Sequence, residues 1–279
     1  MNLFMRFPGH RSKVLTLSYD DAVEQDIRLI KIMKEHGLKG TFNINTGSFA
    51  PEGTVYSAGQ IHRRMTKKQA YELYAGSGME VAVHAATHPF LEQLPLNMCT
   101  REVMQDRENI EKMFGTICRG MAYPYGTTSD AVVEILKSCG ILYSRTTVSS
   151  RNFMIPEDWL RLSATCHHGD VQLMDLAEKF LAVNEPYRAP KMFYLWGHSY
   201  EFDMHENWNV MEQFAEKMGG RDDIWYATNI EIFEYIEAFR LLRASNDGKI
   251  LFNPTAYMLY FSTGTEHFEI KPGETLKLL

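Results

Sequence analysis

Two histidines stand four residues apart, His84 and His88, and two adjacent aspartates, Asp20 and Asp21, stand far upstream of them. On a helical turn, a spacing of four places both imidazoles on one face, where they can bind one cation. One carboxylate would complete a three-ligand site with an open position for water, which is the arrangement of catalytic zinc. Adjacent acids in a turn point in different directions, so one aspartate can bind the metal while the other faces a substrate.

Each of these features also has a simpler interpretation. Ten histidines in 279 residues make a chance spacing of four common. An Asp-Asp pair before a helix often caps it, and the segment 123–126, Tyr-Pro-Tyr-Gly, is typical of a turn. His198 could be a buried histidine with satisfied hydrogen bonds. The combination favours a site, because each of these features follows a predicted strand.

The elements that must position these residues alternate between strands and helices. Short apolar runs predict strands at 14–19, 40–44, 79–83, 120–123, 141–144, 191–196 and 225–228. Apolar residues at helical spacing predict helices between them, for example over 24–36, 66–75 and 99–114. This alternation indicates an α/β fold with a parallel sheet, and about seven such units favour a barrel over an open sheet. In a barrel of this kind, functional groups gather at the carboxyl ends of the strands.

The C-terminal tail has a different pattern. Short apolar runs at 250–252, 256–261, 267–270 and 275–278 are separated by Asn-Pro, Thr-Gly and Pro-Gly turn signals. The pattern predicts a small antiparallel β appendage. We therefore expect two units, a barrel over residues 1–244 and an appendage over residues 245–279 that packs on it.

Composition argues against several partners. The chain has 29 basic and 35 acidic residues and a formal charge of −6, which disfavours nucleic acid as a partner. No apolar stretch is long enough for a membrane span. Four cysteines without C-x-x-C spacing are expected to be reduced. The N-terminus lacks an apolar leader, so a cytoplasmic location is expected, or an extracellular one if a native leader precedes Met1.

Together these motifs resemble those of the polysaccharide deacetylase family, carbohydrate esterase family four, over residues 14–243. The strand that ends in Leu17–Asp21 resembles the family's Thr-Phe-Asp-Asp motif, and His84–His88 resembles its His-Ser/Thr-x-x-His motif. Ala122–Gly126 resembles its Arg-x-Pro-Tyr-Gly motif, and Trp196–His198 its hydrophobic-x-His motif. The resemblance implies a distorted (β/α)7-type barrel.

The resemblance also implies an activity. It points to a metal-dependent hydrolase that removes acetyl groups from N-acetylated sugars, or O-acetylated ones, so that the partner is an acetylated sugar or oligosaccharide. Asp21, His84 and His88 are implied to bind a divalent metal, zinc above all, with cobalt, nickel or manganese as alternatives. A homo-oligomer is left open.

Catalytic roles follow from the same resemblance. Asp20 is implied to be the general base that activates water, and His198 the general acid that protonates the leaving amine. Tyr125 is implied to offer its backbone N–H to the developing oxyanion. These roles agree with what amide hydrolysis needs: an activated nucleophile, an oxyanion donor and a protonated leaving group.

The sequence departs from the family pattern at Ala122, which stands where the family has an arginine that orients the general base. Arg145 and Arg119 are candidate replacements, and Arg145 is favoured because it ends the next predicted strand. Trp196 is a further candidate for support or for lining the pocket.

The histidines at 167 and 168 have no clear family counterpart. They either belong to a helix N-cap region, or one of them, His168 in our expectation, lines the substrate pocket. The family's fourth motif, an Asp and a Trp that support the acid, has a candidate remnant in Asp158 and Trp159.

Two other functions remain open. The same site could hydrolyse a different C–N bond, since a fold does not determine a substrate. The missing arginine also allows a catalytically inactive relative that only binds carbohydrate. The presence of Asp20 and His198 opposes that second alternative, because a binding protein needs neither a base nor an acid.

Overall fold

The structure is a computed structural model that describes residues 3–184, 188–264 and 266–278. Its strands are β1 (Phe4–Arg6), β2 (Lys13–Asp20), β3 (Gly40–Ile44), β4 (Glu80–Val83), β5 (Gly120–Ala122), β6 (Tyr143–Ser149), β7 (Leu162–Ala164), β8 (Cys166–His167), β9 (Lys191–Gly197), β10 (Ile224–Tyr226), β11 (Arg243–Ala244), β12 (Ile250–Phe252), β13 (Leu259–Thr263), β14 (Glu266–Ile270) and β15 (Thr275–Lys277). Its helices are α1 (Asp26–Glu35), α2 (Lys67–Tyr74), α3 (Leu96–Phe114), α4 (Asp130–Ser138), α5 (Leu173–Ala182), α6 (Tyr200–Met204), α7 (Trp208–Met218) and α8 (Asn229–Arg240). Among the described residues, no helix combines the length and apolar character needed to cross a bilayer.

A parallel sheet forms the centre of the fold, as the alternation of strands and helices predicts. Its strand order is β7-β6-β5-β4-β3-β2-β9-β8, and β10 pairs with the first half of β2. The two terminal strands, β7 and β8, are separated in sequence by Thr165 alone. The N–H of Thr165 donates to Tyr194 in β9, and its carbonyl accepts from Arg151 just beyond β6 (2.8 and 2.9 Å). The ends of the sheet therefore meet at this residue, as they do in a distorted (β/α)7 barrel.

Successive side chains of β2 point to opposite faces of the sheet, which explains how one strand supports both an apolar core and a polar site. Leu15, Leu17 and Tyr19 pack in the apolar core beneath the surrounding helices. Successive side chains of a strand point to opposite faces, so Ser18 and Asp20 lie on the other face. Because the neighbouring strands are parallel, Asp20 lies at the same edge of the sheet as the carboxyl ends of β3, β4 and β9.

The antiparallel strands that the tail pattern predicts are present, in two three-stranded sheets of order β1-β13-β14 and β11-β12-β15. No sequence pattern predicted β1, whose Phe4 pairs with Ser262 in β13. Leu259 and Ile270 of this tail share a buried core with Tyr194 of the barrel. The division into two units at residue 244 stays a prediction.

Candidate active site

Asp20 and Asp21 lie where β2 ends and the chain turns, and both are buried. Asp20 is the last residue of the strand, whereas Asp21 is left-handed, with φ of 87°. The N–H of Asp21 still donates to the carbonyl oxygen of Asn43 in β3 (2.9 Å). This abrupt change of backbone conformation gives the two adjacent carboxylates different neighbours.

The loop after β4 carries His84 and His88. It is not the helical turn that the spacing suggested, because Ala85 and His88 are both left-handed, each with φ of 59°. Asn45 holds this loop by donating from Nδ2 to the carbonyl oxygens of His84 (2.5 Å) and Ala85 (2.8 Å). The two imidazole centroids lie 4.7 Å apart. The helical turn is therefore wrong, and left-handed residues that fold the loop back bring the imidazoles together instead.

Asp21, His84 and His88 converge, and one potential ligand atom from each lies within 4.8 Å of the other two. Nδ1 of His84 lies 2.8 Å from the carbonyl oxygen of Ala122. A carbonyl only accepts, so Nδ1 carries the proton and Nε2 presents a lone pair. That Nε2 is buried and forms no hydrogen bond with any described residue. One carboxylate and two imidazoles, one of them with an unpaired nitrogen, fit a divalent cation such as zinc.

The protonation states of these three side chains also suit a metal. Burial lowers the pKa of His88 to about 4, and His84 beside it acts in the same direction. Burial lowers the pKa of His84 as well. Burial would raise the pKa of Asp21, but His62 and Arg64 outweigh it and hold that pKa well below its usual range. Neutral imidazoles and a charged carboxylate are the forms that bind metal.

Arg64 and His62 are site residues that sequence reasoning missed. Arg64 donates from Nη2 to Oδ1 of Asp21 (3.0 Å) and from Nη1 to the Asp21 carbonyl oxygen (2.5 Å). Nε2 of His62 lies 3.5 Å from Oδ2 of Asp21. Both come from the long segment between β3 and α2. The His-Arg-Arg run at 62–64 was the available signal, but nothing in it showed that this segment returns to the end of β2.

Asp20 is surrounded by polar side chains. Asn43 donates from Nδ2 to its Oδ1 (2.8 Å), and Arg145 donates from Nη2 to its Oδ2. Nε2 of His198 lies 3.8 Å and Nε2 of His84 lies 3.9 Å from the same Oδ2. Burial would raise the pKa of Asp20, but Arg145 and then the two histidines outweigh it and lower that pKa. The carboxylate is therefore charged and available to accept a proton.

The structure places Arg145, and not Arg119, against Asp20. Arg145 is buried, and its guanidinium carbon lies 4.3 Å from the ring centroid of Trp196. Trp196 thus contacts the site through Arg145. Arg119 turns away and donates from Nε to the carbonyl oxygen of Gly140 (3.3 Å).

Tyr125 lies beside His88, at the turn that follows β5. Its φ is 59°, and its half-exposed ring stacks on Phe90 with centroids 3.8 Å apart. The centroids of Tyr125 and His88 are 4.5 Å apart. The turn therefore lies at the edge of the histidine pair.

His198 follows β9 and contacts a glutamate that sequence reasoning missed. Nδ1 of His198 lies 3.2 Å from Oε1 of Glu201. Nε2 of His167 and Nε2 of His168 lie 3.0 and 2.9 Å from Oε2 of the same glutamate. The spacing of three between His198 and Glu201 was a signal for this contact, since α6 begins at Tyr200. Burial would lower the pKa of His198, but Glu201 and then Asp20 outweigh it and raise that pKa.

The candidate remnant of the family's fourth motif lies elsewhere. Asp158 accepts from the N–H groups of Leu160 and Arg161 and so caps a short turn. Trp159 packs against Phe233 in the core that the barrel shares with the tail. Neither residue joins the cluster around Asp20.

Comparison with known proteins agrees with these motifs. The family model described as polysaccharide deacetylase matches residues 8–144, which hold Asp20, Asp21, both loop histidines and Tyr125. Over these residues, nearly half of its length, the chain resembles the polysaccharide deacetylase family. No curated protein matches this chain by sequence.

Solved structures resemble this chain at low sequence identity. A Mycobacterium smegmatis protein assigned to the polysaccharide deacetylases is 17% identical, with a TM-score of 0.59 over 84% of this chain and 93% of that one. A mutant of peptidoglycan deacetylase PdaC from Bacillus subtilis is 15% identical, with a TM-score of 0.50 over 82% and 93%. Deacetylase PplD from Streptococcus pyogenes, in complex with acetate, is 24% identical at a TM-score of 0.42, and the match covers 47% of this chain and 55% of that one. The first two likenesses support the shared fold.

Backbone strain concentrates at the candidate site. A left-handed conformation costs an L-residue other than glycine on the order of 1–2 kcal/mol, so it persists only where surrounding contacts enforce it. Five such residues lie in three of the loops that carry the candidate site: Asp21, Ala22, Ala85, His88 and Tyr125.

Proposed function

We propose that this protein is a metal-dependent deacetylase that hydrolyses the acetamide of N-acetylated sugars, with O-acetyl esters as the nearest variant. The observation that carries the proposal is the convergence of Asp21, His84 and His88 beside Asp20 and His198. A binding site alone would need neither a charged buried carboxylate nor a histidine facing it. The match to the polysaccharide deacetylase model supports the deacetylase class. The metal, the residue roles and the substrate are our inferences.

In this proposal, Asp21, His84 and His88 hold the divalent cation, with zinc the first choice for this donor set. When bound, the ion polarises the acetyl carbonyl and lowers the pKa of water toward about 7. The tautomer of His84 is already set by Ala122, so its Nε2 needs no rearrangement to act as a ligand.

Asp20 acts as the general base. It accepts a proton from the attacking water as the oxygen bonds to the acetyl carbon. Arg145 and Asn43 orient the carboxylate from two sides, and Arg145 keeps it charged. The arginine therefore fills the role that Ala122 leaves open.

His198 acts as the general acid. The C–N bond breaks as Nε2 of His198 gives its proton to the leaving nitrogen, so that acetate and a free amine result. The raised pKa of His198 keeps the proton available, and its Nε2 lies 3.8 Å from Oδ2 of Asp20, so base and acid face one space. The backbone N–H of Tyr125 is our candidate donor to the oxyanion.

The test is acetate release from N-acetylglucosamine, chitooligosaccharides, acetylated xylan and small acetyl esters. Each substrate is assayed with zinc or cobalt and again with chelator. We expect release that chelator abolishes and that added metal restores. Stoichiometric metal binding without release from any substrate would contradict the proposal and favour a different amide substrate or a carbohydrate-binding role.

A further inference from the structure

A single carboxylate, Glu201, gathers three histidines behind the candidate site. The carboxylate lies within 3.2 Å of ring nitrogens of His167, His168 and His198. Burial would raise the pKa of Glu201, but the three histidines outweigh it and hold that pKa far below its usual range. Nδ1 of His198 forms a hydrogen bond with Oε1, and because a charged carboxylate only accepts, this nitrogen carries a proton. Nε2 of His167 and Nε2 of His168 lie at ion-pair distance from Oε2, which accepts no hydrogen bond from the described residues.

The loop backbone shows which ring nitrogen of His167 carries its proton. Its Nδ1 accepts from the N–H of Gly169 at 3.0 Å. An accepting nitrogen has no proton, so the proton of neutral His167 is on Nε2, which faces Oε2 of Glu201. The backbone of the loop thereby determines the tautomer of this histidine.

His168 is also neutral. It is buried and stacks on Phe202, with ring centroids 4.1 Å apart. A side chain at Gly197 would meet its Nδ1 at 2.1 Å, so the glycine makes room for this ring. Burial lowers the pKa of His168 to about 4, against the opposing effect of Glu201. The imidazole stabilises the glutamate charge without adding a positive charge.

The same geometry argues against a second cation at this cluster. Ligand atoms of His167, His198 and Glu201 lie close enough together to hold an ion. Binding through Nε2 of His167, however, would require moving its proton to Nδ1, where it would face the N–H of Gly169. The cluster therefore places one hydrogen bond, from His198, and two close imidazole contacts around the Glu201 carboxylate.

We propose that Glu201 is a positioning residue, which accepts Nδ1–H of His198 and so turns Nε2 of that ring toward Asp20. This inference rests on the proposed function, in which His198 protonates the leaving amine. The two neutral histidines at 167 and 168 hold Glu201 in place and charged. A histidine whose second nitrogen donates to a carboxylate has a defined tautomer and ring orientation.

The experiment compares two leaving groups in Glu201→Gln, with Glu201→Asp as the conservative variant. The matched control is Glu216→Gln, an exposed glutamate on α7. We expect Glu201→Gln to lower kcat for an N-acetylated sugar about 100-fold, since general acid catalysis contributes on the order of 10²–10⁴-fold. The chelator-sensitive hydrolysis of p-nitrophenyl acetate should change less than about 3-fold, because its phenolate leaves without a proton. Glu201→Asp should recover part of the loss.

A second readout does not depend on turnover. In protein labelled with ¹⁵N-histidine, we expect Nδ1 of His198 to be protonated, and Glu201→Gln to shift the ring toward the other tautomer. Signals are assigned with His198→Gln. Equal losses on both substrates, or unchanged His198 signals in folded Glu201→Gln, would overturn the positioning role. So would a second bound zinc ion that Glu201→Gln abolishes. If the wild type hydrolyses neither substrate while the tautomer shift occurs, the proposed function fails and the arrangement around Glu201 stands.

Discussion

Replacing Arg145 with methionine removes the permanent charge that faces Asp20. The methionine chain can still lie on Trp196, so most of the packing remains. After the change Asn43 still donates to Oδ1. Of the described titratable side chains that lie within 4 Å of Asp20, only His84 and His198 remain as its partners. The variant therefore tests one ion pair in an otherwise retained site.

The expected magnitude follows from burial on both sides. The Arg145 and Asp20 side chains are 1% and 3% exposed. Removing one partner of such a buried pair costs about 3–5 kcal/mol if the other stays charged. Asp20 can escape part of this cost by taking up a proton. At about 1.4 kcal/mol per pKa unit, an unpaired charge of 3 kcal/mol would move the pKa of Asp20 upward by about 2 units.

The sign of the pH dependence is specific. In the wild type, the lowered pKa of Asp20 contributes stability that is present at neutral pH and is lost as pH falls below the unfolded value near 4. In Arg145→Met the pKa of Asp20 is raised, so stability is instead lost as pH rises from about 4 through the new value. The difference in unfolding free energy between the two proteins should therefore grow with pH.

Urea unfolding at several pH values between 4 and 8, with chelator present throughout, measures this difference. Arg119→Met is the control, because Arg119 bonds only a backbone carbonyl among the contacts described above. In turnover assays, the acidic limb of the Arg145→Met rate profile should move upward in pH. A difference in unfolding free energy that is the same at pH 4 and pH 8 would refute the reasoning.

Three further predictions concern the base, the metal ligands and a buried acid. Asp20→Asn should abolish acetate release while retaining one equivalent of metal, measured by elemental analysis; loss of metal would show that the two aspartates have exchanged roles. His84→Ala should cut metal occupancy sharply in the same measurement, and full occupancy would remove this residue from the ligand set. Asp26 is fully buried, and burial raises its pKa to about 7 from 3.8, against hydrogen bonds from Ser199 and Tyr74. The unfolding free energy is therefore expected to fall by up to about 4 kcal/mol as pH rises from about 4 to about 7, because the Asp26 carboxyl must then ionise in the folded protein. Asp26→Asn should remove this pH dependence of the unfolding free energy in urea unfolding, and an unchanged pH dependence would contradict the assignment.

The barrel was predictable because its signals are local. Strands of the central sheet have one or both faces buried, so they appear as apolar runs, and the helices between them have one apolar face. The tail strands were visible through their turn residues. The strand Phe4–Arg6 was not predictable, because three residues are too few to show an alternation of apolar and polar side chains. Its partner strand β13 lies near the other end of the chain.

Only the site residues that belong to the sequence motifs were predictable. The loop at 84–88 shows the limit: a spacing of four suggested a helical turn, but Ala85 is left-handed, and alanine gives no sign of that conformation. Arg64 was missed because a long loop brings it to the site. Glu201 was missed although it lies on α6, only three residues beyond His198. Neither the local sequence pattern nor the composition shows which part of the fold a loop will contact.

Strand register explains how an arginine one strand away can face the same carboxylate. Ala122 in β5 and Arg145 in β6 are direct partners in the parallel ladder, so their side chains lie at the same level of the same face. An arginine at either position is therefore directed toward the end of β2, where Asp20 lies. The small side chain at 122 leaves room for the longer reach from β6, and the Ala122 carbonyl accepts from Nδ1 of His84. One short strand thus sets both the tautomer of a candidate metal ligand and the path of the arginine to the candidate base.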